Sequence, residues 1–386
     1  MISGTSFDAV EAVLAEFTPD GNALSCDLLS HHSVPYPDDL RERIAAVLPP
    51  ARTDIGEICE LDVAIGQFFG DVAADLADDL GGEATQLVCS HGQTVFHWVA
   101  GDHALGTLQL GQPAFIAERT GATVVSDVRN RDIAAGGHGA PLASVLDVLL
   151  LAPPPGTVRG ALNLGGISNV TVLEEGRLPV AFDIGPANAL MDAVVTHFTG
   201  GRERFDESGR YAARGRVDAA LLALLLEEPY YTLGWPKSTG KELFNLDYVL
   251  RALAGRRLTL DDLVATLSAL TVESVAGALR RCGVSEVVPS GGGTRNGVLM
   301  SNLRERLAGV AFRPLEDFGV AEASKEALAF ALIGYLTACR LPASVPSCTG
   351  ARHTSILGSI TPGAIALPDL KWSGAPTRLV MRKETA

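Results

Sequence analysis

The chain is 386 residues long, 47% apolar and only 20% charged, with 41 glycines and 21 prolines; that is enough apolar material for two packed domains or one two-lobed unit, and it excludes a disordered or coiled-coil protein. With 31 Lys and Arg against 45 Asp and Glu, the formal charge is −14, which argues against nucleic acid or an anionic membrane as a partner but not against an anionic small molecule held by backbone amides. No signal peptide is visible, and the longest apolar runs, such as 221–226, are too short for a bilayer, so a cytoplasmic protein is expected.

From the N-terminus, Met1 leads almost at once into the turn Ser3-Gly4-Thr5-Ser6, and 10–17 alternates as a half-buried strand does. Residues 55–80 carry apolar positions at helical spacing without proline and predict one long helix. A short buried strand at 86–89 ends in Ser90-His91-Gly92-Gln93, followed by a helix over 113–120 and a strand over 122–126. A second block repeats the plan: strand 161–164, turn Gly165-Gly166, returning strand 169–173, strand 180–184, and a helix from Asn188. A long helix follows over 259–281, with Thr259 as N-cap, acids in its first turn and arginines in its last. Strand 286–289 runs into Ser290-Gly291-Gly292-Gly293, and a last helix covers 322–339. The two halves are alike enough in plan to raise duplication, and the tail after Pro362 is expected to return to the first half.

Several segments can carry chemistry. In Ser3-Gly4-Thr5-Ser6-Phe7-Asp8 a tight turn offers amides and hydroxyls to an anion, and Asp8 is tolerable beside phosphate only with a cation between, hence Mg²⁺; a plain capped turn is the alternative. Asn163-Leu164-Gly165-Gly166-Ile167-Ser168-Asn169 reads as a second such hairpin, or as an ordinary turn. Asp183, at the end of an apolar strand before Gly185-Pro186, is either a turn cap or a general base. Gly291-Gly292-Gly293 permits a flat ligand such as adenine to approach, or is a surface turn.

Arg131 and Asp132, in a polar stretch from Ser126, are candidates for sugar hydroxyls, with a solvated loop as the alternative. His91 and His97 flank Gln93-Thr94 without metal spacing. The cysteines at 26, 59, 89, 282, 339 and 348 form no CxxC and no zinc pattern, so reduced, buried thiols are expected. A Rossmann fingerprint, a Walker loop and a serine-hydrolase elbow are all missing.

Taken together, SGTSFD at 3–8, SHGQTVFH at 90–97, SDVRNRDIAAGGHGAPL at 126–142, LNLGGISNVTVL at 162–173, FDIGPANALMD at 182–192, PSGGGTRN at 289–296, KEALAFA at 325–331 and TGARHTSILGSITPG at 349–363 resemble the anhydro-N-acetylmuramic acid kinase family. The resemblance spans nearly the whole chain. It implies an α/β, two-lobed actin-like ATPase fold, each lobe a mixed sheet flanked by helices, with the active site in the cleft between lobes. It also implies residues 1–130 with about 360–386 as the first lobe and 131–359 as the second, and a homodimer.

The activity it implies is ATP- and Mg²⁺-dependent hydrolysis of a 1,6-anhydro-N-acetylmuramic acid ring with phosphorylation of O6. By the same resemblance Gly4, Thr5, Ser6, Phe7, Asp8, Ala9, Val10 and Glu11 form the phosphate loop, with Asp8 toward the metal. From the motifs themselves, Gly165, Gly166, Ser168, Asn169, Gly291, Gly292, Gly293 and Asn296 are candidates for the rest of the nucleotide site, and His91, Gln93, Thr94, Arg131, Asp132 and Asn188 for the sugar site. By the resemblance, Asp183 is the base for water, and Glu326 helps place that water.

Ala9 and Glu11 stand where the family usually has Gly and Asp, and little chain precedes the loop, so a shortened first strand is expected to weaken the first sheet. A kinase for another anhydro-sugar or a plain sugar would keep Asp183 and change the pocket near Arg131, Asp132 and His138. A non-catalytic nucleotide-binding regulatory module would need neither Asp183 nor the stretch 126–132.

Overall fold

Strands β1 (Ile2–Ser3), β2 (Ala9–Asp20) and β3 (Ala23–Pro35) form an antiparallel meander in which Val10 and Ala12 face the core. The computed structural model describes residues 1–4, 7–81, 84–101, 103–235, 237–240, 242–367 and 374–382. The chain divides into two compact units, Met1–Leu150 with Phe318–Ala386, and Leu151–Asp317.

In the first unit, β4 (Leu87–Cys89) leads into the hairpin β5 (Gln93–Ala100) and β6 (His103–Leu110), and β7 (Thr123–Ser126) lies parallel to β4. The short β1 is central. Ser3 pairs with Val10 on one side and with Gln93 on the other. The Met1 ammonium donates to the Cys89 carbonyl at 2.8 Å, and the His91 N–H donates to the Met1 carbonyl at 3.0 Å. Three residues therefore tie the meander to the parallel strands, and the first sheet keeps the central element that the sequence puts in doubt.

The helix Ile55–Ala77 starts where Asp54 accepts the N–H groups of Gly56 and Glu57, and buries Leu61, Ile65, Phe69, Val72 and Leu76 along one stripe. Cys59 lies outside that stripe and is exposed, so the expectation of buried thiols fails there; Cys26, Cys89 and Cys348 are buried, and all six are free. The helix Lys325–Ala338 packs close to β4 at Gly334, where a Cβ would come within 2.5 Å of the Cys89 side chain. Near its start the Lys325 ammonium is 2.9 Å from the carboxylate of Asp147, and both side chains are buried. Segment Ser359–Thr361 pairs with β7, and Arg378–Met381 pairs with β3, so the tail does return to this unit.

The second unit repeats the plan. Strands β8 (Val158–Leu164), β9 (Ile167–Glu174) and β10 (Val180–Pro186) make an antiparallel meander. After several helices, β11 (Glu286–Ser290) lies parallel to β8, and after the helix Gly297–Arg306, β12 (Ala311–Phe312) lies parallel to β11. A meander whose first strand takes a parallel partner on its other edge, β5 beside β1 and β11 beside β8, is thus built twice, in keeping with the likeness of plan seen in the sequence.

The helix Leu260–Arg281, capped by Thr259 as expected, is long and apolar enough to cross a membrane by length and composition, but most of it is buried. It packs on Leu162, Val170 and Phe182 of the meander.

The boundaries fall at 150/151 and 317/318, not near 130 and 360. The helix Ser144–Leu150 packs on Arg378–Met381, and Lys325–Ala338 packs on β2 and β4, which draws both helices into the first unit. Replacing Lys325 by Met strands the Asp147 carboxylate without its cation; urea unfolding of the variant is expected to show a loss of about 3–5 kcal/mol.

Candidate active site

Strand alternation builds a polar row across the second unit's sheet. Ser290 on β11 stands opposite Asn163 on β8, Asn163 opposite Asn169 on β9, and Asn169 opposite Asp183 on β10. Directly paired residues share a face, so these four side chains project together, while the adjacent row, Leu162, Val170 and Phe182, packs into the core. The register slips between Asp183 and Gly185, a bulge that interrupts the pairing beside the carboxylate before it resumes with Gly185 opposite Ser168.

A loop closes over Asp183. The short helix Pro229–Thr232 places Tyr230, whose hydroxyl donates to the Asp183 carbonyl at 2.8 Å. The Asp183 N–H donates to the Lys237 carbonyl at 3.0 Å, and the Thr239 N–H donates to Asp183 Oδ2, also at 3.0 Å. Trp235 stacks on Phe182, ring centroids 5.2 Å apart. Oδ1 takes no hydrogen bond from the described residues. Burial raises the Asp183 carboxyl to about 6; the Thr239 amide and Lys237 oppose the rise and Glu242 adds to it. A carboxylate with one oxygen held and proton affinity near neutrality suits a general base.

The glycines differ in what they leave open. At Gly4 a Cβ would meet nothing within 4 Å, and at Gly166 its nearest neighbour would be 3.7 Å away, so both turns have room for a ligand. At Gly291, where φ is +88°, a Cβ would run into Asn163, and at Gly293 it would come within 2.7 Å of Leu164. These two glycines are needed for the protein's own packing at the end of β8. Gly292 is exposed beside Arg295.

Other expected ligands are committed internally. The Ser168 hydroxyl is fully buried and donates to the Gly185 carbonyl. Asn188 donates to the carbonyls of Leu164 and Gly165 and so fixes the hairpin turn. Asn296 caps the helix Gly297–Arg306 through the Leu299 N–H.

In the first unit the turn closes with Phe7 N–H on the Gly4 carbonyl, Phe7 taking a left-handed φ of 44°. Thr5 and Ser6 lie outside the described residues. Asp8 is exposed, Ala9 half-buried, and Val10 a core side chain that has no surface for a nucleotide. Glu11 accepts from Ser33 at 2.6 Å and lies 2.8 Å from His31 Nε2, across the hairpin. Gln93 is buried and accepts the Ser3 hydroxyl at 2.5 Å, and Thr94 accepts from Gln109, so these two brace the strands under the turn.

Arg129, rather than the exposed Arg131, stands at the centre of the charged stretch. Its Nε–H donates to His91 Nε2 at 2.8 Å and its NH1 to the Gly139 carbonyl at 2.6 Å. Glu326 and Asp132 are the anions that act on it, while burial lowers it to about 10. Asp132 has no exposed surface: it accepts from Thr349 and from the Gly139 N–H, and a Cβ on Gly137 would collide with it. A sugar therefore cannot touch Asp132, which shapes the wall from beneath. Glu326, in the first turn of Lys325–Ala338, keeps an exposed side chain; the surrounding protein pushes its carboxyl up, against the pull of Lys325 and Arg129.

Sequence reasoning did not single out Arg129, Asn163, Lys237, Thr239 or Glu242. Cross-strand register would have exposed Asn163; nothing local marks 237–242. Among the described residues no cluster of three His, Cys, Asp or Glu could hold a metal. Asp8 is an exposed carboxylate beside the Gly4 turn, a donor of the kind that a Mg²⁺ ion takes.

Residues 1–363 match the sequence profile of the anhydro-N-acetylmuramic acid kinase family. The chain belongs to that family. It is 54% identical to the anhydro-N-acetylmuramic acid kinase of Streptomyces coelicolor over 98% of this chain and 97% of the relative, and 53% identical to that of Rhodococcus erythropolis over 95% and 94%. A solved structure, component A of (R)-2-hydroxyglutaryl-CoA dehydratase from Acidaminococcus fermentans, aligns at 13% identity and a TM-score of 0.41 over 85% of this chain and 99% of that one, too slight a likeness to bear on the site.

His91 is held neutral. Its Nε2 accepts from Arg129, its Nδ1 lies 2.9 Å from the Gly92 carbonyl, and burial and Arg129 lower it well below the ordinary value. Its ring ¹⁵N shifts are expected to stay constant from about pH 6 to about pH 8; a titration in that range would contradict the placement.

Proposed function

We propose that the protein is an ATP-dependent kinase that opens the 1,6-anhydro ring of 1,6-anhydro-N-acetylmuramic acid with water and phosphorylates O6, giving N-acetylmuramic acid 6-phosphate for cell-wall recycling. Identity to named kinases over nearly the full chain supports the substrate class. The observation that carries the mechanism is Asp183: one carboxylate oxygen fixed, the other taking no hydrogen bond from the described residues, and a proton affinity raised to about 6.

In the reaction, Asp183 Oδ1 takes a proton from water as the water oxygen bonds to the anomeric carbon. The C1–O6 bond breaks with its electrons going to O6, and O6 then bonds to the γ-phosphorus as the bond to ADP breaks. ATP would supply the phosphoryl group, and a Mg²⁺ ion held at Asp8 would neutralise part of its charge. Gly4 and Phe7 to Glu11 line one phosphate turn, with Asp8 toward the metal and Val10 contributing only backbone. Gly165 and Gly166 line the other turn; Ser168, Asn188, Gly291, Gly293 and Asn296 maintain it. Asn169, beside Asp183 in the polar row, and Arg131 and Thr94 are offered to the sugar, while Glu326 places water. Action in the cytoplasm and a homodimer follow from the same family reading.

Asp183→Asn is expected to reduce sugar-dependent ADP release by roughly 10²–10⁴-fold. Because the wild-type carboxyl binds protons more tightly folded than unfolded, its ionisation weakens the fold as pH rises through the window from its ordinary value to about 6. The Asn variant, which carries no charge there, should therefore have a Tm at neutral pH at or above that of the wild type. In the wild type kcat/KM should be full above pH about 6 and fall below it. Undiminished turnover in Asp183→Asn would remove Asp183 from the base role.

A further inference from the structure

Lys237 and Glu242 flank the segment that bonds Asp183, and their charges act on it in opposite directions. The Lys237 side chain is tethered: Nζ donates to the Tyr230 carbonyl at 2.8 Å and lies 4.2 Å from the centre of the Tyr230 ring. That same Tyr230 donates its hydroxyl to the Asp183 carbonyl, and the Lys237 carbonyl accepts the Asp183 N–H. The ammonium is thus anchored on the same residue that holds the Asp183 backbone. Glu242 is folded back on its own loop: a Cβ on Gly240 would strike its carboxylate. Beyond the loop, Arg281 of the helix Leu260–Arg281 repels Lys237, and burial together with this repulsion lowers the lysine to about 8.

We propose that Lys237 and Glu242 are positioning residues of opposed charge that set the basicity of Asp183, while Tyr230 and the Thr239 amide fix where it stands. This rests on Asp183 being the base. Lys237 favours the ionised form that accepts the proton. Glu242 favours the protonated form, so that the carboxylate retains enough affinity for the proton of water. Neither side chain has to touch the sugar for this.

The test is a ¹³C titration of the Asp183 carboxyl in the full chain, alongside the pH profile of kcat/KM, for wild type, Lys237→Met, Lys237→Arg and Glu242→Gln. Lys237→Met is expected to raise the midpoint by roughly half a pH unit or more, and Glu242→Gln to lower it by a similar amount. Lys237→Arg should stay near wild type, and the acid limb of kcat/KM should follow each midpoint. Midpoints that stay within error of wild type in both charge-removing variants would overturn the proposal. If Lys237→Met does not fold, Glu242→Gln decides alone. Midpoints that move while the acid limb stays put would support the positioning and overturn Asp183 as the base.

Discussion

The hydrogen bonds between Asp183 and the loop 230–242 decide how much water that carboxylate sees, and so how tightly it holds a proton. A fully exposed Asp would be too weak a base to deprotonate water, and a fully buried one would stay protonated. The bulge after Asp183 interrupts the ladder there before it resumes at Gly185, the loop takes over the backbone partners of Asp183, and one amide occupies one carboxylate oxygen. Gly185, with its backbone close to Tyr231, lets the loop approach: a Cβ there would stand 2.7 Å from the ring.

The doubled plan explains why the candidate phosphate turns look alike. Each meander ends a strand in a glycine turn; a Cβ would meet open space at Gly4 and only ordinary contact with Ala189 at Gly166. The residues around them are mostly supports. Asn188 pins the second turn from below, Gln93 braces the first through Ser3, and Asp132 organises a loop with Thr349 and Gly139. Buried polar groups used in this way are fully bonded, which is the condition for keeping them inside without loss of stability.

The fold was legible in the sequence to the extent that it depends on local pattern. The helix Pro113–Thr120 and the Thr259 cap follow from proline, glycine and hydroxyl placement, and the strand ends were displaced by one to three residues because pairing, not composition, sets them. The hairpin of β5 and β6 was not anticipated: its outer residues Phe96, Trp98 and Leu108 are exposed and apolar, so no polar alternation marks it. Asp183 was legible as a carboxylate at a strand end. Its partners were not, since Lys237 and Thr239 lie more than fifty residues away and meet it through tertiary contact. Arg131 drew attention over Arg129 because sequence shows charge but not direction; the structure turns Arg129 inward to His91.

The central claim is that water attacks the sugar while phosphate goes to O6. A short incubation with ATP, Mg²⁺ and 1,6-anhydro-N-acetylmuramic acid in H₂¹⁸O, analysed by mass spectrometry, tests it directly. The account predicts one ¹⁸O at the anomeric position of the phosphorylated sugar and none in its phosphate. Label in released inorganic phosphate, or a phosphorylated sugar without ¹⁸O at the anomeric carbon, would contradict it.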